Sequence, residues 1–469
     1  MSKDKHIAIV GGGIAGLTAA YYLQKEIKEK QLPYKIKLIE ASDNLGGKIK
    51  TIKKDGYMIE RGPDSFLIRK QSAARLVKEV GLEHDLVKNG TGQSFILVKN
   101  KLHKMPSGSF MGIPTEVRPF LFSRLFSTKG KLRASCDVVL PRGEQVSDQS
   151  LGKFFRRRFG DELVDNLVEP LLSGIYAGDI NELSLMATFP NFYQLEQKHR
   201  SLVRGLQTSM PKKKKTKGSK PSMFYSLKNG LQSLVEAVEE KLEDGTVMKG
   251  ISVENIERKD NKYYLQFRNG ESYLADAVIL ATPAFAMQQM FHQYEFMVPV
   301  KEMVPTSSVA NIALAFDASA IKKDMDGTGF VVARNSDYRI TACTWTHKKW
   351  PKIATPEGKV LLRCFLGKPG DEGVVNLSDQ ELTDIALNDL SKLMNITQKP
   401  EFSVVTRWVN AMPQYTVGHK DRLDKLTEQM KEKIPGVYLA GASYHGIGIP
   451  DCIDQGEAAV VNVLQYLKS

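Results

Sequence analysis

The residues best placed to do chemistry stand near the two ends of the chain. Gly11, Gly13 and Gly16 follow an apolar run, His6 to Val10, in G-x-G-x-x-G spacing. Glu40 stands 24 residues beyond Gly16 and closes a second run, Lys35 to Ile39. These residue types hold a dinucleotide rather than break a bond. Gly11 permits a tight strand-to-helix turn, Gly13 lets a pyrophosphate approach the backbone, and Gly16 lets the helix lie close on the sheet. The free N–H groups and positive end of the helix dipole face the phosphates. Glu40 can accept hydrogen bonds from a ribose diol. A structural βαβ unit is the alternative reading. Other reactive residues are scattered. Cys136, Cys343, Cys364 and Cys452 form no C-x-x-C pair, so neither a metal site nor a disulfide framework is implied. No Ser/His/Asp constellation is evident and no catalytic residue is assigned. His445 has no visible partner, so a packed or exposed histidine is a plainer reading than a base.

These residues need strand, turn and helix in that order. His6 to Val10 reads as a buried parallel strand, Ile14 to about Lys30 as a helix, and Lys35 to Ile39 as a second strand. Leu45-Gly46-Gly47-Lys48 follows the acid directly. NAD-dependent enzymes of this fold need no second glycine pair there. Flavoproteins of the amine oxidase type do, because their chain folds back over the pyrophosphate and sets a Lys or Arg beside the cofactor. The pattern therefore points to FAD. Asp55 to Phe66 alternates as a strand, turns at Gly62-Pro63 and returns toward the cofactor. Ala275 to Pro283 reads as a buried strand completing the same sheet. A strand over Val437 to Ala442, a glycine-rich turn over Ser443 to Ile449 and a helix from about Pro450 to Leu467 repeat the opening logic. That helix start can set N–H groups against the flavin pyrimidine; a plain C-terminal αβ unit is the alternative.

Residues 105–207 are helix-rich. Phe120, Leu121, Phe122, Leu125 and Phe126, flanked by Arg118, Arg124, Lys129 and Lys131, read as a helical-domain core. The alternative is an amphipathic surface on a membrane or at a greasy substrate entrance. Leu171 to Asp179 sets two glycines in an apolar context, which suggests backbone packed on something flat. Pro211 to Pro221 reads as a solvated basic linker, and Phe224 to Leu242 as an amphipathic helix. Ser94 to Lys104 reads as a hairpin with Asn100-Lys101 at its tip. Strands over Val309 to Phe316, Gly329 to Ala333, Ile340 to Trp345 and Val360 to Leu366 suggest an antiparallel sheet walling a cavity. The predicted fold is α/β. A discontinuous Rossmann-like FAD-binding domain takes 1–66, 222–295 and 402–469. An antiparallel-sheet substrate domain takes 67–104 and 296–401, and a helical domain takes 105–210, joined by the linker 211–221.

The chain has 469 residues, enough for two or three domains, and a net charge of +13. That charge favours acidic partners such as a polycarboxylate substrate or anionic lipid. No nucleic-acid motif accompanies it, so nucleic acid is excluded. No signal peptide or spanning run is predicted, and separated cysteines suit a reducing compartment. The expectation is a cytoplasmic protein, with peripheral membrane association left open.

Together VGGGIAGLTAAYYL, EASDNLGGK, ERGPDSF, EPLLSGIYAGDINELSL, MPQYTVGH and GIGIPDCIDQG resemble the porphyrinogen oxidases of haem biosynthesis. The similarity is strongest to their Gram-positive type, the coproporphyrinogen III oxidases, once called protoporphyrinogen oxidases. It covers essentially the whole chain. It implies non-covalent FAD, coproporphyrinogen III as substrate and coproporphyrin III as product. Six electrons leave in three rounds, a hydride passing from a methylene bridge to flavin N5, with O2 as acceptor and H2O2 as product. By position it puts FAD contacts on Gly11, Gly12, Gly13, Ile14, Ala15, Gly16, Glu40, Ala41, Lys48, Gly62, Pro63, Asp64, Ser65, Val253, Trp408, Ile447, Gly448 and Ile449. It puts the carbonyl of Gly174 against pyrrole N–H groups, with Ile175 beside it. Mitochondrial members carry Arg where this chain has Asp64. That different charge pattern fits a substrate with four carboxylates rather than two, and makes Lys70 a candidate propionate anchor; an exposed lysine at a helix start is the alternative. Docking of a downstream haem-pathway enzyme stays open. Protoporphyrinogen oxidation, a flavin amine oxidase, a carotenoid desaturase and a flavin-free chaperone of this fold are the other readings. Intact flavin glycines argue against the last.

Overall fold

The strand Lys5–Val10 is apolar on both faces, which suits the middle of a parallel sheet covered on both sides. In the computed structural model it is the third of five parallel strands, in the order Val247–Met248, Tyr34–Ile39, Lys5–Val10, Ala277–Leu280, Val437–Leu439. The structure describes residues 4–90, 93–209, 222–351 and 353–468. The expected linker, Pro211 to Pro221, lies outside them. One sheet thus draws on the start, middle and end of the chain.

Its two faces follow the strand period. Ile7 and Ile9 point into a core shared with the helices Ile14–Lys30 and Ile449–Lys468. Ala8 and Val10 point into a second core under the antiparallel strands Val253–Lys259, Lys262–Phe267 and Ser272–Ala275. The two long helices pack closely because Gly456 lacks a side chain: a Cβ there would lie 2.6 Å from the Ala15 carbonyl oxygen.

A second sheet has seven strands, ordered Phe402–Pro413, Thr306–Asp317, Lys359–Leu366, Ile340–Trp345, Gly329–Val332, Phe95–Val98 and Lys101–Lys104. It is antiparallel except where Gly329–Val332 runs parallel to Phe95–Val98. The helix Asp379–Met394, started by a Ser378–Glu381 capping box, covers one face. The helical region is tied internally by Arg158, whose guanidinium reaches Asp137 at 2.7 Å and Glu196 at 3.2 Å, all fully buried. No helix among the described residues is long and apolar enough to cross a membrane.

Four local expectations are corrected. Asp55 is not in a strand; Asp55-Gly56, both at positive φ, turns a hairpin between Thr51–Lys54 and Tyr57–Glu60. The next hairpin tip is Lys99-Asn100 rather than Asn100-Lys101, because the left-handed pair sits one residue earlier. Phe224 opens a strand, Phe224–Leu227, which pairs with Phe66–Leu67 and Leu86–Lys88; the helix begins only at Gln232. The apolar cluster divides. Phe120, Leu125 and Phe126 are buried, whereas Leu121 and Phe122 are 47% and 84% exposed.

Candidate functional site

The turn after the first strand is tight because Gly11 takes φ +105°. A Cβ at Gly16 would meet the Gly11 carbonyl oxygen at 1.9 Å, so the helix starts hard against the turn. Gly13 caps the helix in extended backbone, and no side chain caps it. A Cβ at Gly13 would meet nothing within 4 Å, so this side of the turn is open. Gly46-Gly47 closes the opposite side. Gly46 N–H donates to the Gly12 carbonyl at 2.8 Å, and a Cβ at Gly47 would lie 3.2 Å from Gly13 Cα. The result is a bare cradle at a helix N-terminus, where pyrophosphate charge is favourable.

Glu40 is fixed at its rim. One carboxylate oxygen accepts from Gly12 N–H at 2.6 Å, and the other from Ser42 N–H at 2.9 Å and Ser42 Oγ at 2.8 Å. Ala41 is exposed beside it. Ile251 N–H donates to the Glu40 carbonyl at 3.0 Å, which brings the strand start at Val253 to the same rim. Ile14 and Ala15 are buried in the helix start. These residues fit a dinucleotide: the cradle is bare where a phosphate would lie, and the acid is positioned for a diol.

Residues 62–65 form the next wall. A Cβ at Gly62 would lie 1.8 Å from the Lys48 carbonyl oxygen. Trp408 Nε1 donates to the Arg61 carbonyl at 2.9 Å, and Arg363 donates to the Gly62 carbonyl at 2.7 Å. Asp64, after Pro63, accepts from Lys349 at 2.8 Å, Trp350 Nε1 at 3.3 Å and Ser65 Oγ at 2.7 Å. Burial pushes its carboxyl up, but Lys349 and Arg363 hold it well below the usual range. Its side chain is therefore committed to the seven-stranded sheet rather than free to set the charge around a substrate. Lys48 reaches the Ala411 carbonyl, and burial pushes its amine down.

Glu60, just ahead, is buried and accepts from Leu231 N–H at 2.7 Å and Thr51 Oγ1 at 2.8 Å. Burial pushes its carboxyl up to about 7. The native state then holds this proton more tightly than the unfolded chain. Its contribution is present below the unfolded value of about 4.5 and lost as pH rises through about 7. Glu60→Gln should flatten that part of the dependence of Tm on pH between 5 and 7. Parallel wild-type and variant Tm curves would contradict it.

Three side chains tie down the C-terminal turn. Gln455 accepts from Gly441 N–H at 3.2 Å and His445 N–H at 3.3 Å, and donates to the carbonyls of Gly446 at 3.3 Å and Asp451 at 3.1 Å. Tyr415 donates to the Ala442 carbonyl at 2.7 Å and accepts from Gly446 N–H at 2.8 Å. His419 stacks on Tyr415 at 4.2 Å, and its Nε2 donates to the Tyr444 carbonyl at 2.8 Å. Burial pushes His419 down to about 4, so it stays neutral. The turn delivers Ile447, Gly448 and Ile449 to the start of the last helix. His445 is exposed. The Cys452 thiol is buried and pushed up to about 12 by burial.

Opposite this turn lies the helix Glu169–Tyr176. A Cβ at Gly174 would meet nothing within 4 Å, and Ile175 is 44% exposed. Gln414 donates to the Tyr176 carbonyl at 2.7 Å, linking this helix to the Tyr415 clamp. Arg334 ties Glu169, at the start of this helix, at 2.7 Å to Asp179, beyond its end, at 3.0 Å. Lys70 is not a free lysine at a helix start; it is ion-paired with Asp451. Gln414, Tyr415, His419, Asp451 and Gln455 were visible only as letters of MPQYTVGH and GIGIPDCIDQG. Nothing in their spacing tells that they grip backbone far away in sequence.

A family model described as flavin containing amine oxidoreductase matches residues 14–464. A Bacillus subtilis protein named coproporphyrinogen III oxidase is 54% identical over 99% of both chains. A Staphylococcus aureus protein of the same name is 43% identical over 99% of this chain and 100% of that one. A crystal structure of an Exiguobacterium protein, provisionally described as a protoporphyrinogen oxidase, superposes with a TM-score of 0.88 at 37% identity, covering both chains fully.

Proposed function

The chain belongs to the flavin containing amine oxidoreductases, and from that premise we propose that it is an FAD-dependent oxidase converting coproporphyrinogen III to coproporphyrin III in haem biosynthesis. The observation that carries this is the pair of full-length relatives named for that activity. Bound flavin supplies the two-electron acceptor, and O2 takes the electrons on to H2O2. The chain's own residues bind and orient. The glycine cradle and Glu40 hold the dinucleotide. Residues 62–65, Val253, Lys48, Trp408 and the turn 447–449 surround the rest of it. The buried, protonated Cys452 is a poor nucleophile, which supports non-covalent FAD.

In this reading 1–66, 222–295 and 402–469 carry the flavin, 67–104 and 296–401 wall the cavity and 105–210 cover it, with two corrections: the strand Phe402–Pro413 belongs to the seven-stranded sheet, and the helix Gln71–Glu79 packs in the same core as Ile7 and Ile9. The open backbone at Gly174 receives pyrrole N–H groups, Ile175 lines the cavity, and Lys70 takes a propionate. Lys70→Ala should raise KM for coproporphyrinogen roughly three- to tenfold with little change in kcat, since it removes ground-state binding. A fall in kcat at unchanged KM would remove that role. The deciding measurement is aerobic turnover with coproporphyrinogen III and protoporphyrinogen IX, following porphyrin fluorescence and peroxide. Higher kcat/KM for the first supports the reading; preference for the second overturns the substrate, and no turnover of either overturns the activity.

We further propose a cytoplasmic protein in which Val117, Leu121, Phe122, Leu132 and Val139, all exposed, rest on an anionic membrane surface beside Arg118 and Lys131. Co-sedimentation with vesicles rich in anionic lipid should fall at least threefold in Phe122→Asp. Equal sedimentation of both proteins would count against it.

A further inference from the structure

Two helix starts face each other beside the C-terminal turn. Lys70 caps the helix Gln71–Glu79, and Asp451 lies in the first turn of Ile449–Lys468. Ser72 Oγ donates to the Pro450 carbonyl at 3.1 Å and locks the two starts together. Both helix dipoles put their positive ends here. Lys70 adds a full charge, and Lys48 lies within electrostatic reach of the adjoining Cys452. Asp451 meets this positive field through its ion pair with Lys70. A Cβ at Gly446 would lie 2.8 Å from the Asp451 Cβ, Gly446 N–H donates to Tyr415, and Tyr415 packs at 5.6 Å on Tyr176, at the end of the helix bearing Gly174. The pair therefore lies between the C-terminal turn and the proposed porphyrinogen cavity, not on a remote surface.

The pair is only partly buried, the Lys70 and Asp451 side chains being 36% and 25% exposed. Pairs so open to water are weak and exchange partners readily. We propose that Asp451 is a resident substitute for a substrate carboxylate: it holds Lys70 extended in the empty site and yields it when a propionate arrives. This rests on the reading of the substrate as a porphyrinogen polycarboxylate. The arriving carboxylate finds Lys70 already ordered, so less side-chain freedom is lost on binding. In return it must displace a competitor of the same charge. Asp451 thereby sets a ceiling on affinity and favours release of a product that carries the same carboxylates.

The test is equilibrium binding of coproporphyrin III, read by fluorescence quenching on the FAD-bound protein. Asp451→Asn keeps the shape and removes the competing charge. It should tighten binding about fivefold, the size expected when a weak competing ion pair is removed. Asp451→Ser, which removes the charge with a smaller polar side chain, should do the same. Lys70→Met should weaken binding, and Asp451→Asn in the Lys70→Met background should give no gain. The tetramethyl ester of the porphyrin, which lacks carboxylates, should bind wild type and Asp451→Asn alike. Unchanged or weaker binding by Asp451→Asn overturns the proposal, as does a gain that persists without Lys70 or with the ester. Wild-type turnover of coproporphyrinogen keeps the two readings apart. Its absence removes the proposed activity, whereas turnover with no gain in Asp451→Asn removes only the role of Asp451.

Discussion

Gly13→Val should yield a folded protein that cannot retain FAD. Gly13 has φ −69°, which any L residue adopts, and a Cβ there meets nothing within 4 Å. No backbone strain arises and the added Cβ displaces no protein atom. Replacing glycine where the conformation already suits a side chain stabilises by about 0.4–1 kcal/mol through the unfolded chain. The flavin-free protein should therefore melt at or slightly above the wild-type temperature. The valine side chain would fill the space left for the pyrophosphate at the helix start. Affinity for FAD should fall at least about 100-fold, or roughly 2.7 kcal/mol. Gly16→Val is the contrast. There a Cβ would lie 1.9 Å from the Gly11 carbonyl oxygen, so folding and cofactor binding should fail together. Thermal unfolding of flavin-free protein and titration by flavin fluorescence separate the cases. A Gly13→Val protein that purifies yellow with normal affinity would show that the cradle is not where the pyrophosphate lies.

The same contrast explains what the sequence could tell. The opening strand, helix Ile14–Lys30 and second strand were legible because period, glycine spacing and the terminal acid all agree over one short stretch. Phe224–Leu227 was illegible although Phe224 and Tyr225 suit a strand: the run is only four residues long, it lies just ahead of helix Gln232–Glu240, and its partners Phe66–Leu67 and Leu86–Lys88 are far away in sequence. Asp64 shows the matching limit for the site. Its position was found from the Gly-Pro motif, but its partners Lys349 and Arg363 lie some 300 positions away. Only the folded chain shows that its charge is already matched. Lys70 was picked out by charge alone, and its pairing with Asp451 crosses nearly the whole chain.

Gln455 carries the second large effect, and it was equally hidden. Its amide serves four backbone groups, of Gly441, His445, Gly446 and Asp451. The turn needs this because Gly441 and Gly446 take φ of +113° and +130°, outside any regular element that would pair their N–H and C=O groups. Gln455→Met conserves volume but leaves those groups with no amide partner. Each buried polar group so stranded costs about 1–3 kcal/mol; the Asp451 carbonyl keeps its place in the helix and the Gly446 carbonyl keeps the Cys452 thiol, so the loss falls on the Gly441 and His445 N–H groups and should total about 3 kcal/mol. Part of that cost should appear as weaker FAD binding, since the turn carries Ile447 to Ile449, the proposed flavin contacts. Gln455→Glu keeps acceptors for Gly441 and His445 but loses the donor to the carbonyls of Gly446 and Asp451. Stability and FAD affinity should therefore both rank Gln, Glu, Met. Amide hydrogen exchange at Gly441 and His445 should accelerate in the methionine variant and stay near wild type in the glutamate variant. If Gln455→Met melts and binds FAD as wild type does, the turn is held by Tyr415 and His419 alone. The order Gln, Met, Glu would instead mean that a buried negative charge outweighs the hydrogen bonds it keeps.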